Sequence, residues 1–119
     1  MTEDDPHQSR LAQNEHAQAE LVAVTLPALC EMVWVLARGY KIGASDIAAQ
    51  IRILLACETV ATDRPAVEAG LALLDESGDF ADGVIACEGT ALGADEFVSF
   101  DKRAVALLQA RGKNARLLL

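Results

Sequence analysis

A chain of 119 residues with 52% hydrophobic side chains is long enough to bury a core as a single domain spanning residues 1–119. Its formal charge of −8 weighs against gripping nucleic acid by charge alone. No apolar run approaches the roughly 20 residues that a membrane-spanning helix needs, and the acidic start Met1-Thr2-Glu3-Asp4-Asp5 lacks the basic-then-apolar order of a signal peptide. Aromatics are only 4%, so Ala, Leu, Val and Ile must fill the core. Cys30, Cys57 and Cys87 are odd in number, widely spaced and set among apolar residues. They read as reduced core thiols of a cytoplasmic protein, not as a disulfide frame or a zinc site. His7 and His16 are the only histidines, both in a polar N-terminal stretch, which argues against a His-based site.

In chain order, Asp4-Asp5-Pro6-His7-Gln8 carries a capping pattern with Pro at the first helical position, predicting a helix to about Glu20. Residues 21–25 form a short β-branched run, expected to be a buried strand. Pro27 opens a helix that stops near Gly39. Its stripe around Val33 and Leu36, with Trp34, is expected to face the core. Ala44 or Ser45 begins a third helix, with Ile47, Ile51, Leu54 and Leu55 on its apolar side. Residues 58–62 read as a second strand. Asp63-Arg64-Pro65 caps a helix through Leu74, broken at Ser77-Gly78. Asp79 starts the next helix, which ends near Gly93. Residues 96–100 read as a third, buried strand; residues 102–110 as a helix stopped by Gly112; and residues 115–118 as a last strand. Short apolar strands alternating with helices predict an α/β fold with a mainly parallel sheet.

Charge is distributed unevenly along this frame. Between positions 75 and 101 lie eight acids (Asp75, Glu76, Asp79, Asp82, Glu88, Asp95, Glu96, Asp101) and no Lys or Arg. Beyond them come Lys102, Arg103, Arg111, Lys113 and Arg116 with no acid. Two like charges about 4 Å apart in a partly buried site repel by roughly 4 kcal/mol, so carboxylates gathered by a fold call for a proton or a cation. Glu88, Asp95 and Glu96 read as solvated, and Asp79 as a helix N-cap that sits three residues from Asp82. Asp82 and Asp101 lie beside apolar residues instead. Glu31 is the only charge between Leu21 and Ala37. Either it faces water from the first turns of its helix, favoured by the helix dipole, or it points into a site. Sites in parallel α/β sheets form beyond the carboxyl ends of strands, where Glu31, Asp82 and Asp101 can approach one edge. A carboxylate cluster without His or Cys suits Mg²⁺ or Mn²⁺, ions that assist phosphodiester cleavage.

Several stretches together resemble the PIN-domain ribonucleases of the VapC toxin type. They are Thr2-Glu3-Asp4-Asp5-Pro6 with Gln8-Ser9; Leu26-Pro27-Ala28-Leu29-Cys30-Glu31-Met32-Val33-Trp34-Val35-Leu36; Asp63-Arg64-Pro65-Ala66-Val67; Asp79-Phe80-Ala81-Asp82-Gly83-Val84-Ile85-Ala86; and Phe100-Asp101-Lys102. The resemblance implies a three-layer α/β/α sandwich and catalytic acids at Glu31, Asp82 and Asp101. It also implies a metal site of Glu31, Asp79, Asp82 and Asp101 holding Mg²⁺ or Mn²⁺, an RNA substrate, a homodimer and a VapB-like antitoxin. The family pattern opens with an apolar strand ending in Asp, followed by Thr-Asn. By this resemblance the chain lacks both that strand and the first acid: either the true start lies upstream, or the protein is an N-terminally shortened variant.

Two closures of such a sheet are open: residues 21–25 pairing directly with 96–100, or a strand borrowed from a partner. Two functions are open as well. One is an endoribonuclease, with Lys102, Arg103 and Arg111 either contacting RNA phosphates or simply solvated. The other is a catalytically impaired PIN-like protein that binds an antitoxin or another toxin subunit.

Overall fold

All but one of the described α-helices start where the sequence supplies a side chain for their first unpaired amides. In a computed structural model, which describes residues 21–118, five α-helices are interspersed with four short strands. The helix expected over residues 6–20 lies outside the described residues. The elements are β1 (Val22–Ala23), α1 (Leu26–Trp34), α2 (Ala44–Leu55), β2 (Val60–Ala61), α3 (Arg64–Asp75), α4 (Phe80–Ala91), β3 (Phe97–Ser99), α5 (Lys102–Ala110) and β4 (Ala115–Leu117). Thr25 caps α1, Asp63 caps α3, Asp79 caps α4 and Asp101 caps α5, each side chain accepting from an amide of the first turn. Pro27 and Pro65 occupy first-turn positions, where a missing N–H costs nothing. One turn of π-helix, Val35–Gly39, prolongs α1, with Tyr40 N–H donating to Val35 O at 3.2 Å.

The packing follows the apolar stripes. Leu26, Leu29 and Val33 of α1 meet Ile47, Ala48 and Ile51 of α2. Ala66, Val67, Leu71 and Leu74 of α3 and Phe80 and Val84 of α4 complete the same core. A smaller cluster joins Leu73, Val105, Leu108 and Ala115, so α3 feeds both cores from two of its faces. The α3–α4 contact is close because it is lined with glycine. A Cβ on Gly83 would run into the Ala69 carbonyl, and one on Gly70 would lie 2.7 Å from the Phe80 ring. Arg52 of α2 and Asp75 of α3 form a two-pronged ion pair at 3.2 and 2.6 Å, exposed and therefore of small energetic weight.

The strands make two separate two-stranded parallel sheets, β1 with β2 and β3 with β4. Register aligns Val22 with Val60 and Ala23 with Ala61 in one, and Phe97 with Ala115 and Val98 with Arg116 in the other. The parallel sense agrees with expectation. Direct pairing of residues 21–25 with 96–100 is not made. Neither run is the buried strand its apolar composition suggests: Leu21 is 66% and Phe100 67% exposed. Among the described residues each of β1 and β3 has a paired strand on one side only. Trp34 also departs from expectation, being 62% exposed. It follows Val33 by one residue, about 100° around the helix, and so falls off the stripe that Leu26, Leu29 and Val33 bury.

Candidate acidic site at the carboxyl end of β3

Two helix starts and the far end of α1 meet around a cleft of about 310 Å³. The Gly78-Asp79-Phe80 turn enters α4, placing Asp79 at the cap and Asp82 in the first turn. The chain leaving β3 delivers Asp101 as the cap of α5. From the opposite side, Val33 and Trp34 of α1, with Ala37 and Arg38 of the π-turn, form the wall. Arg103, in the first turn of α5, also lines the cleft.

Capping fixes two of the three aspartates. Asp79 Oδ1 accepts from Ala81 N–H at 3.1 Å. Asp101 Oδ1 accepts from Arg103 N–H at 2.9 Å and Ala104 N–H at 3.2 Å, and Asp101 N–H in turn donates to Ser99 Oγ at 3.0 Å. Each cap uses Oδ1, so neither cap occupies Oδ2. Asp82 is different. It is half-buried and makes no cap, and its carboxyl is pushed up to about 6, first by burial and then by the negative charges of Asp79 and Asp101. The positive end of the α4 dipole works in the other direction and is outweighed. Cys30 of α1, which is not among the residues lining the cleft, also feels Asp79. Burial, then Asp79 and Glu88, push its thiol up. All three cysteines are free and partly buried.

Of the acids singled out in the sequence, Asp79, Asp82 and Asp101 therefore line one cleft. Glu31 is exposed on the second turn of α1 and is not among the residues lining it. The basic candidates separate too. Arg103 lies at the cleft and donates to the Glu76 carbonyl at 2.8 Å, whereas Arg111 pairs with the Glu76 carboxylate at 3.3 Å away from it. Lys102 is exposed. Arg38 escaped notice in the sequence, and Trp34 was expected in the core. Their signal was positional, an aromatic and a cation just off the buried stripe at the end of a helix.

The donor chemistry around the cleft is oxygen only, which suits a hard divalent cation. Among the described residues no three His, Cys, Asp or Glu side chains gather closely enough to form a cage for one ion. What the residues fit is an ion held by one or two carboxylates and otherwise by water and a ligand's phosphate oxygens, the usual way Mg²⁺ is bound. No helix of the described residues is long and apolar enough to cross a membrane. Comparisons with models of protein families, with curated proteins and with solved structures find no match for this chain.

Proposed function

We propose that the protein is a Mg²⁺- or Mn²⁺-dependent endoribonuclease of the VapC-like toxin type. In this reading it is cytoplasmic and dimeric, is neutralised by a VapB-like antitoxin, and its helices and parallel strands belong to a three-layer α/β/α sandwich. One observation carries it: Asp79, Asp82 and Asp101, from two different elements, line one cleft, where burial and then the charges of Asp79 and Asp101 push the carboxyl of Asp82 up to about 6. A bound divalent ion would neutralise charge at the scissile phosphate and orient a water. The chain's own part is positioning. Asp79 and Asp101 are pinned by caps made through Oδ1, which leaves Oδ2 for a ligand. Asp82 sheds its proton near pH 6 and is ionised where cleavage would run. Arg38 and Arg103, on the cleft wall, offer guanidinium groups to RNA phosphates.

The test is cleavage of single-stranded RNA with Mn²⁺ or Mg²⁺, comparing the protein with Asp82→Asn. The expected result is activity that chelation abolishes and the variant loses by about a hundredfold or more. Equal cleavage by both proteins would assign the activity to a contaminant.

A second reading is favoured by the position of Glu31 outside the cleft lining. With one acid fewer at the site, the chain would act as a PIN-like binder that holds an antitoxin or another toxin subunit without turnover. Absence of cleavage by the unaltered protein, with retained folding, selects it.

A further inference from the structure

The far end of α1 carries side chains that the three aspartates do not account for. Between positions 34 and 41 stand two aromatics and two cations, Trp34, Arg38, Tyr40 and Lys41, and no acid interrupts the run from Met32 to Ser45. All four are exposed, Trp34 by 62% and Tyr40 by 71%. Trp34 and Arg38 stand four residues apart across the junction of α1 with its π-turn, and both line the cleft. Tyr40 and Lys41 follow directly on the same turn.

The main chain holds this group in place. Tyr40 N–H donates to Val35 O at 3.2 Å and Ile42 N–H to Leu36 O at 3.0 Å, closing the turn on both sides of Lys41. Lys41 sits in the left-handed region at φ 58, where most residues other than glycine are uncommon. Single π-turns occur often at functional sites. The negative end of the α1 dipole favours Arg38 and Lys41 here, but it gives no reason to leave two aromatic rings in water. Isolated apolar side chains on a surface are ordinary. Two rings interleaved with cations beside a cleft are the pattern of a surface that follows a single nucleic-acid strand, with rings for bases and cations for phosphates.

We propose that the end of α1 is a stacking platform for single-stranded RNA. An unpaired base next to the phosphate at the cleft stacks on Trp34, Arg38 meets the adjoining phosphate, and Tyr40 and Lys41 extend the track away from the acids. Every base has a π-face, so the platform accepts many sequences, and it rejects duplex, whose bases are already stacked on one another. The rings also answer the charge of −8, since stacking adds affinity that net charge does not oppose. This inference rests on the nuclease reading for its class of ligand and adds where the strand lies.

Trp34 is the chain's one tryptophan, so its fluorescence reports this position alone. The probe is an unstructured phosphorothioate RNA octamer, added to the full chain in Mg²⁺. Trp34 emission should fall by about half or more, saturating where the anisotropy of a dye-labelled copy of the strand saturates. Trp34→Ala should weaken binding of the labelled strand by about tenfold or more, and Trp34→Phe by less than about threefold. Arg38→Gln combined with Lys41→Gln should lower both the affinity and its dependence on salt. A duplex of the same sequence should leave the emission unchanged. Binding without a change in emission, or equal binding by Trp34→Ala, overturns the proposal. So does absence of binding, which leaves the rings to a protein partner, or emission that shifts with protein concentration without RNA, which assigns them to a second copy. Quenching without cleavage removes the nuclease reading and keeps the platform; cleavage that Trp34→Ala leaves intact does the reverse.

Discussion

Asp82 is a carboxylate whose surroundings disfavour its charged form, and the consequence for stability has a definite sign. Its carboxyl lies near 3.8 when unfolded and about 6 when folded, raised by burial, Asp79 and Asp101. Between those values the folded chain binds more protons than the unfolded one, so stability falls as pH rises from about 4 to 6 and stays lower above it. Half the side chain remains open to solvent, which screens and shrinks the effect. Asp82→Asn removes the titration. The variant should show a flatter dependence of urea midpoint on pH across that window and a higher midpoint at pH 7; an unchanged slope would place the group in an ordinary environment. A second residue-scale case is Ser77, which closes α3 in the left-handed region at φ 63. Ser77 N–H donates to Leu74 O and Gly78 N–H to Leu73 O at 2.7 Å, the pattern of a helix ended by a left-handed residue. Glycine adopts that conformation without Cβ strain, so Ser77→Gly should raise stability by roughly 0.5–1 kcal/mol in denaturant titration.

At the scale of elements, the α3–α4 crossing is the tightest joint in the fold. Gly83 lies against the backbone of Ala69 and Gly70, which cannot swing aside as a side chain does. Gly83→Ala should therefore cost at least about 2 kcal/mol, despite alanine's better helix propensity of about 1 kcal/mol. A midpoint equal to the parent's would show that the two helices separate freely. Helices such as these were legible in the sequence because their signals are local. Asp63-Arg64-Pro65, Asp79 and Asp101 each mark a start, and the stripe Ile47, Ile51, Leu54 marks a face. The parallel pairing was legible too; of the three acids expected at one sheet edge, Asp82 and Asp101 line one cleft and Glu31 does not, while Asp79 arrives from the turn between α3 and α4. Burial of the strands was not. Val98 and Phe100 are apolar whether or not a neighbouring strand covers them, and composition does not reveal how many neighbours a strand has. Trp34 was misjudged for a related reason. A single position on a nine-residue helix decides between core and cleft wall, and the stripe was read as one residue too broad.

For the whole molecule the decisive quantity is the charge imbalance, −8 overall with its acids concentrated between positions 75 and 101. A cation that relieves the repulsion at the cleft binds the folded chain and not the unfolded one, and so stabilises it by mass action, about 2.7 kcal/mol at a hundredfold excess over Kd. Simple screening of a −8 surface also stabilises, but it depends on ionic strength and not on any one carboxylate. The two are separable because Asp82 exchanges its charge near pH 6. Mn²⁺ at pH 7.5 should raise the thermal midpoint above that in NaCl of equal ionic strength, and the extra gain should shrink at pH 5 as Asp82 takes up its proton. Asp82→Asn should show only the NaCl-like response at both pH values. If instead the variant gains as much from Mn²⁺ as the parent does, the ion acts away from Asp79, Asp82 and Asp101, and the cleft loses its claim to bind it.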